Sequence, residues 1–223
     1  MRAKISEIFK SIQGEGIYFG REQVFVRFFG CNLNCSFCDT KFFHFKDIEL
    51  EDVLREINNY KMISSIAITG GEPLIQKDFL KEFFPLLKNE NKEVYLETNG
   101  VLPEVLKEKE IINNVDIISM DIKLPSSTRQ KSYYTEHKEF LSLAVKKNVF
   151  VKTVITLDTS LDDFVSALRL VKSFDCNIPF VIQPAYQYQS MLENKLIYFY
   201  GIATDYLKDV RVLPQMHKIL GIK

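Results

Sequence analysis

The chain has 223 residues, 46% of them hydrophobic, enough for one sizeable core, and a single domain over residues 1–223 is expected. Lys plus Arg number 29 and so do Asp plus Glu, and a neutral balance with no basic block argues against a nucleic-acid or membrane-surface protein. The opening MRAKISEIFKSIQGEG has no apolar run of the leader type, and no stretch approaches the ~18 uninterrupted apolar residues of a membrane span, so a cytoplasmic protein with reduced cysteines is expected.

In chain order the elements alternate. Val24–Phe29 (VFVRFF) is β-branched and aromatic and reads as a strand. Residues 50–60 put Val53, Leu54 and Ile57 at helical spacing. Residues 65–69 (SIAIT) form a short apolar strand that stops at Gly70-Gly71, and residues 79–87 are helical in pattern, with Pro85 marking a kink. Strands follow at 93–98 and 115–121, a helix at 140–147, a strand at 149–155, a helix at 162–172, a strand at 180–183, a helix at 191–207 and a last strand at 210–213. Short buried strands alternating with helices imply a parallel sheet with helices packed outside it. A closed eightfold barrel typically takes about 250 residues, so the expected architecture is α/β, a partial, open β/α barrel. Most of the polar motifs sit just after a strand, at the edge where such proteins carry their sites.

Three of the four cysteines lie in Cys31–Cys38 as C-x3-C-x2-C. A structural zinc site wants four protein ligands, with His44 as the available fourth. Three unliganded thiols packed as small hydrophobes suit poorly a loop that also holds Asn32, Asn34, Ser36 and Asp39. An iron–sulfur cluster is held by thiolates, normally four, so three leave one iron open to another ligand. At the end of another strand stands T-G-G-E-P (Thr69–Pro73), whose glycines let a ligand approach the backbone closely.

These two motifs, with Phe37 just before the last cysteine, resemble the radical S-adenosylmethionine (SAM) superfamily. The resemblance implies a [4Fe–4S] cluster on Cys31, Cys35 and Cys38, SAM chelated on the open iron, and one-electron cleavage of SAM to a 5′-deoxyadenosyl radical. Further motifs are S-I-Q-G-E-G (Ser11–Gly16), C-D-T (Cys38–Thr40), E-T-N-G (Glu97–Gly100), D-I-K (Asp121–Lys123), Gln183-Pro184 and R-V-L-P-Q-M-H-K (Arg211–Lys218). Together they resemble the 7-carboxy-7-deazaguanine synthase family over nearly the whole chain, with a substrate loop at 11–16, a cluster loop at 31–38 and a C-terminal segment at 208–223. That family contracts 6-carboxy-5,6,7,8-tetrahydropterin to 7-carboxy-7-deazaguanine and ammonia on the route to queuosine and other 7-deazapurines, and it uses SAM catalytically.

The resemblance implies residue roles. Phe37, Cys38, Asp39, Gly71, Asp121, Ile122 and Lys123 would contact SAM. Many relatives have Ser-Pro-Lys where this chain has Asp121-Ile122-Lys123, so of the three side chains only Lys123 matches the family's pattern. Thr40 would ligate Mg²⁺, where a turn-capping threonine is the competing reading. Ile12, Gln13, Gly14, Arg27 and Thr69 would hold the pterin, with Glu15 and His217 as weaker candidates. Arg27 lies inside an apolar strand, and a charge there is seldom buried without a partner. It reads either as a fork for the substrate carboxylate or as half of a structural salt bridge. His44 and His137 read as surface groups and Cys176 as a bystander thiol. Implied partners are the small-molecule pterin, a flavodoxin- or ferredoxin-type electron donor and a second copy in a homodimer, with no nucleic acid and no membrane. The alternative is another radical SAM enzyme, such as a glycyl-radical-enzyme activase, which shares the cysteines and G-G-E-P but gives no reason for Q-G-E-G or R-V-L-P-Q.

Overall fold

The computed structural model describes residues 1–39 and 44–223. The strands are β1 (Arg2–Ile12), β2 (Glu22–Phe28), β3 (Lys46–Glu49), β4 (Ser65–Gly70), β5 (Glu93–Thr98), β6 (Ile117–Asp121), β7 (Asn148–Ile155), β8 (Phe180–Pro184) and β9 (Val210–Val212). The helices are α1 (Leu50–Asn58), α2 (Lys77–Asn89), α3 (Pro103–Leu106), α4 (Lys109–Ile112), α5 (Pro125–Thr128), α6 (Tyr134–Ala144), α7 (Leu161–Lys172), α8 (Glu193–Thr204) and α9 (Met216–Leu220). Among the described residues the strands form one open sheet in the order β3-β1-β2-β4-β5-β6-β7-β8-β9. From β2 to β9 each neighbouring pair is parallel, and β1 runs antiparallel to both β2 and β3. This is the expected open β/α barrel with an antiparallel margin.

The parallel strands are covered on both faces, which is why β4, β6 and β8 are buried almost throughout. Side chains alternate along a strand, so each strand serves two cores. Toward the helices, Val26 and Phe28, Ile66 and Ile68, Val94 and Leu96, Ile118 and Met120 meet Leu80, Phe83 and Phe84 of α2, Phe140 and Leu141 of α6, and Phe164 and Leu168 of α7. The intervening residues face inward. Phe9, Phe25, Ala67, Tyr95, Ile117, Phe150 and Val181 form a smaller apolar cluster there. Phe9 and Phe25 stack with ring centres 5.2 Å apart, and Tyr18 meets Tyr95 edge-on at 5.8 Å. A little further along the same strands the inward positions turn polar, as Glu7, Arg27, Thr69, Glu97, Asp121, Lys152 and Gln183. The inner face is therefore an apolar floor below a polar rim.

Local sequence explains the helices. Ser160 caps α7 by accepting the Asp163 N–H, with Asp162 and Asp163 in the first turn and Arg169 and Lys172 in the last, all favourable to the helix dipole. Helix α2 continues through Pro85 to Asn89, its cost offset by five buried side chains. β1 does not show as a strand in the local sequence because Ile5, Ile8, Phe9 and Ile12 lie at helical spacing and because a register shift between Ile5 and Glu7 breaks its alternation. β3 is short and charged, as edge strands often are. Helix α6 starts at Tyr134 rather than 140 because its first two turns carry the half-buried Tyr134 and the buried His137.

Phe150→Ala should cost about 3–5 kcal/mol, since the ring is fully buried at the centre of the floor. A urea melt should show a lowered midpoint with an unchanged slope.

Candidate functional site

The polar rim, the cluster loop and the C-terminal segment enclose a cavity of about 780 Å³. Cys31, Cys35, Phe37, Cys38 and Asp39 line it from the loop after β2, and Thr69, Gly70 and Gly71 line it from the end of β4. Glycine is required at the β4 end. Gly70 has φ +137°, and a Cβ on Gly71 would lie 2.2 Å from the Gly30 carbonyl oxygen and 2.7 Å from Cys31 Cβ. The glycine pair thus allows the strand end to lie flat against the cysteine loop. Glu72 anchors this turn. It is fully buried and accepts the Leu74 N–H at 3.1 Å, the Asn99 N–H at 2.7 Å and the Thr98 hydroxyl at 3.0 Å. Burial pushes its carboxyl up to about 7 against those hydrogen bonds.

The three thiols feel one another. Burial, with the charges of Asp121, Cys31 and Cys38, pushes the Cys35 thiol up to about 11, against the pull of Lys123. Burial raises Cys31 as well. A bound cation would reverse that direction, since a coordinated thiol is deprotonated outright. Among the described residues no three His, Cys, Asp or Glu side chains form a ready site for a single metal ion. His44 is exposed at the cavity wall.

Charges along the rim are paired. Asp121 and Lys152 lie opposite each other on β6 and β7. Lys152 Nζ is 3.5 Å from Asp121 Oδ2 and 2.6 Å from Glu15 Oε2, and Lys123 Nζ is 2.8 Å from Asp121 Oδ2. Burial would raise the Glu15 carboxyl, but the Lys152 ammonium and a hydrogen bond from Gln215 hold it well below the usual range. Burial would lower Lys152, and Glu15 and Asp121 outweigh it, so its ammonium is held charged. On β1 and β2, Arg27 donates to Glu7 Oε1 at 2.5 Å and stands 5.2 Å above the Phe9 ring. Arg27 is therefore half of a salt bridge, and it also lines the cavity.

Most of the anticipated site residues converge. Ile12, Gln13, Gly14, Glu15, Arg27, Thr69, Gly71, Asp121, Lys123 and His217 all line the cavity. Gln13 does so with its amide committed, donating to Gln23 at 3.0 Å and Glu97 at 2.9 Å and accepting the Glu15 N–H at 3.0 Å. Thr69 donates to Glu97 at 2.6 Å. Ile122 does not line the cavity. Alternation on β6 sends its side chain into the helix-side core, and its backbone is bonded to Lys152 and Thr153. Thr40 lies outside the described residues. His137 is not a surface group but fully buried, with Nε2 3.1 Å from the Asn99 carbonyl.

Glu97, Asn99, Lys152, Gln183 and Gln215 also line the cavity. All but Lys152 sit in motifs singled out above, and Lys152 carried only a weak signal, a lysine inside the apolar strand VFVKTVI. Two buried acceptors here have no partner, Asp121 Oδ1 and Gln183 Oε1. Unpaired buried acceptors are costly, and both lie where a ligand with N–H or O–H groups would satisfy them. The C-terminal segment closes the cavity's side. The Met216 N–H donates to the Gly14 carbonyl at 2.9 Å, Gln215 donates to Glu15 at 2.7 Å and to Asp39 at 3.0 Å, and Lys218 pairs with Asp39.

A cysteine loop against a double-glycine strand end, on an open parallel β/α sheet, defines the radical SAM class. Residues 25–171 match the Radical SAM superfamily, and the chain belongs to it. It is 35% identical to the 7-carboxy-7-deazaguanine synthase of Geobacter sulfurreducens, covering 98% of this chain and 97% of that protein. It is 36% identical to those of Methanothermobacter thermautotrophicus, over 100% and 99%, and Thermoplasma acidophilum, over 97% and 96%. Among solved structures, QueE from Escherichia coli shares the fold with a TM-score of 0.67 at 23% identity, covering 97% of this chain and 95% of that one. The chain belongs to the 7-carboxy-7-deazaguanine synthase family.

The buried His137 sets a pH dependence. Burial lowers its ring from 6.5 to about 4, so the unfolded chain binds the proton more readily. This contribution to stability is intact above pH 6.5 and is lost as pH falls toward 4. Between pH 7 and pH 5 the native protein should lose about 2 kcal/mol from this group, at about 1.4 kcal/mol per unit. His137→Gln should flatten that fall in urea melts at the two pH values.

Proposed function

We propose that the chain contracts the ring of 6-carboxy-5,6,7,8-tetrahydropterin to 7-carboxy-7-deazaguanine with release of ammonia, in the biosynthesis of queuosine and other 7-deazapurines. The observation that carries this is one cavity in which three thiols face an arginine–carboxylate rim above an apolar floor. Its volume suits a cofactor and a small substrate side by side.

Cys31, Cys35 and Cys38 would hold the [4Fe–4S] cluster. Phe37, Cys38, Asp39, Gly71, Asp121 and Lys123 would hold SAM, with Gln183 as a further acceptor. When bound, these groups supply hydrogen-atom abstraction from the substrate and its return, so the protein needs no general base for that step. Its own residues bind, orient and exclude water. The Arg27 fork, oriented by Glu7 and backed by Phe9, offers its remaining donors to the pterin carboxylate. Glu97, steadied by Gln13 and Thr69, is an acceptor for the N–H edge of the aminopyrimidinone. The Gly14 backbone lets that flat ring lie close, with Ile12 beside it. Glu15 and Lys152 hold the loop to the rim as a half-buried pair. Gln215 and Met216 fix the tail over the Gly14–Glu15 backbone, with His217 against Gly14, and so limit entry of water and stray hydrogen donors.

A one-electron reductant is required, and a flavodoxin- or ferredoxin-type protein is the partner of choice. Thr40 is the reading for a Mg²⁺ ligand. Helix α8 leaves Ile197 and Tyr198 exposed at 66% and 58%, an apolar face that suits the homodimer. No described helix is long and apolar enough to cross a membrane, and a cytoplasmic location fits the cluster.

Anaerobic incubation of the reconstituted protein with SAM, a reductant, Mg²⁺ and the carboxytetrahydropterin should yield 7-carboxy-7-deazaguanine by mass spectrometry, without stoichiometric loss of SAM. Cleavage of SAM to 5′-deoxyadenosine with the pterin untouched would overturn the substrate. Arg27→Ala should raise KM for the pterin at least tenfold, about 1.4 kcal/mol or more, with SAM affinity within twofold of the native protein. Equal loss of both would make Arg27 structural.

A further inference from the structure

Asn99, just past β5, has nearly all of its hydrogen-bonding capacity committed by the fold. It is 4% exposed. Its N–H donates to Glu72 Oε2 at 2.7 Å, and its Oδ1 accepts the Val101 N–H at 3.1 Å. Its carbonyl lies 3.1 Å from His137 Nε2. The amide nitrogen Nδ2 donates to Asn32 Oδ1 at 2.8 Å and lies 3.9 Å from Cys31 Sγ. Sulfur is a large acceptor, and that separation is within reach of an N–H···S contact. The Leu33 N–H donates to the same sulfur at 3.4 Å.

The histidine behind this arrangement has two neighbours at Nε2, the Asn99 carbonyl at 3.1 Å and the Lys123 N–H at 3.4 Å. Its Nδ1 is buried without a partner. A proton on Nδ1 would be a stranded donor, gaining only the longer contact from the Lys123 N–H at Nε2 while the same lone pair faced the nearer Asn99 carbonyl oxygen. The proton therefore sits on Nε2 and is donated to Asn99. The ring is held edge-to-face with Tyr133 and Tyr134, both at 6.5 Å. Gly100 has φ +68°, and a Cβ on it would meet Met120 Cε at 2.8 Å and His137 Cδ2 at 3.4 Å, so the turn that presents the Asn99 carbonyl to α6 needs glycine.

An amide N–H drawn onto a thiolate withdraws electron density from the sulfur. Hydrogen bonds to the sulfurs are among the factors that set an iron–sulfur potential. They favour the reduced state, which carries the additional negative charge. We propose that Asn99 donates a hydrogen bond to the Cys31 thiolate and thereby raises the reduction potential of the cluster, and that His137 is the positioning residue that holds Asn99 in place. The inference rests on the radical SAM reading of the three cysteines and extends it to a residue pair outside the cluster ligands.

The test is an EPR-monitored redox titration of the cluster-loaded full chain without SAM. Asn99→Leu keeps size and neutrality and removes the donor. At a fixed potential its ratio of reduced to oxidised cluster should fall about tenfold, a midpoint lower by about 59 mV for a one-electron couple. His137→Phe leaves the residues around the cluster unchanged and should lower the ratio several-fold. His137→Gln retains an N–H for the Asn99 carbonyl and should restore the native midpoint. An Asn99→Leu ratio within twofold of native overturns the proposal, and so do His137→Phe and His137→Gln midpoints that coincide. If Asn99→Leu fails to load, the His137 pair decides. Native protein that takes up no [4Fe–4S] cluster overturns the radical SAM reading itself and the inference with it, a result distinct from an unshifted midpoint.

Discussion

Parallel pairing with strict side-chain alternation is the constraint on which the rest depends. Once Phe25, Ala67, Tyr95 and Ile117 line up across β2, β4, β5 and β6, the residues further along those strands cannot avoid the same inner face. The apolar row is the floor, and the polar row above it is the rim. A slip of one residue in any strand would send Arg27 or Glu97 into the helix-side core and Phe28 or Leu96 into the cavity. The fold and the site are therefore specified by one register.

The rim carries several ionised groups at low exposure, which is tolerable because they are paired across strands. Glu7 faces Arg27 and Asp121 faces Lys152 in direct register. Lys152 then reaches Glu15 on the loop after β1, and Gln215 ties the same carboxylate to the C-terminal segment. Segments far apart in the chain are thus joined through one half-buried carboxylate, and removing one partner would leave the other's charge poorly compensated. The same pairing fixes geometry, which a site that manages a radical needs more than it needs acid–base groups.

On the opposite side of the cavity the organising group is Glu72. It holds the double-glycine turn of β4 to the Thr98-Asn99 turn of β5 by hydrogen bonds to both. Asn99 continues that contact to the cysteine loop through Asn32 and Cys31, and His137 braces it from α6. The cysteine loop is thereby attached to the scaffold by polar bonds from neighbouring strand ends, as a loop with little apolar content must be.

Much of this was legible in the chain. C-x3-C-x2-C, G-G-E-P and the alternation of apolar strands with helices are local patterns, and local spacing determines which groups follow a strand end. The parallel strands from β2 onward were readable for that reason, since each is a short apolar run bounded by turn residues. Other features are not local. β1 has helical spacing in its sequence and becomes a strand only because β2 offers it an edge. His137 reads as polar and becomes core because α6 packs it under the Asn99 carbonyl. Ile122 belongs to the D-I-K motif, yet alternation turns its side chain toward the helices. Gln13, Glu97 and Gln215 owe their placement to partners 84 and 200 residues away along the chain, in the pairs Gln13–Glu97 and Gln215–Glu15. Sequence alone determined the kind of chemistry, because thiol spacing and glycine turns are short-range. Tertiary structure decided which charges meet, because pairing across strands depends on register, and register is settled only when the whole sheet packs.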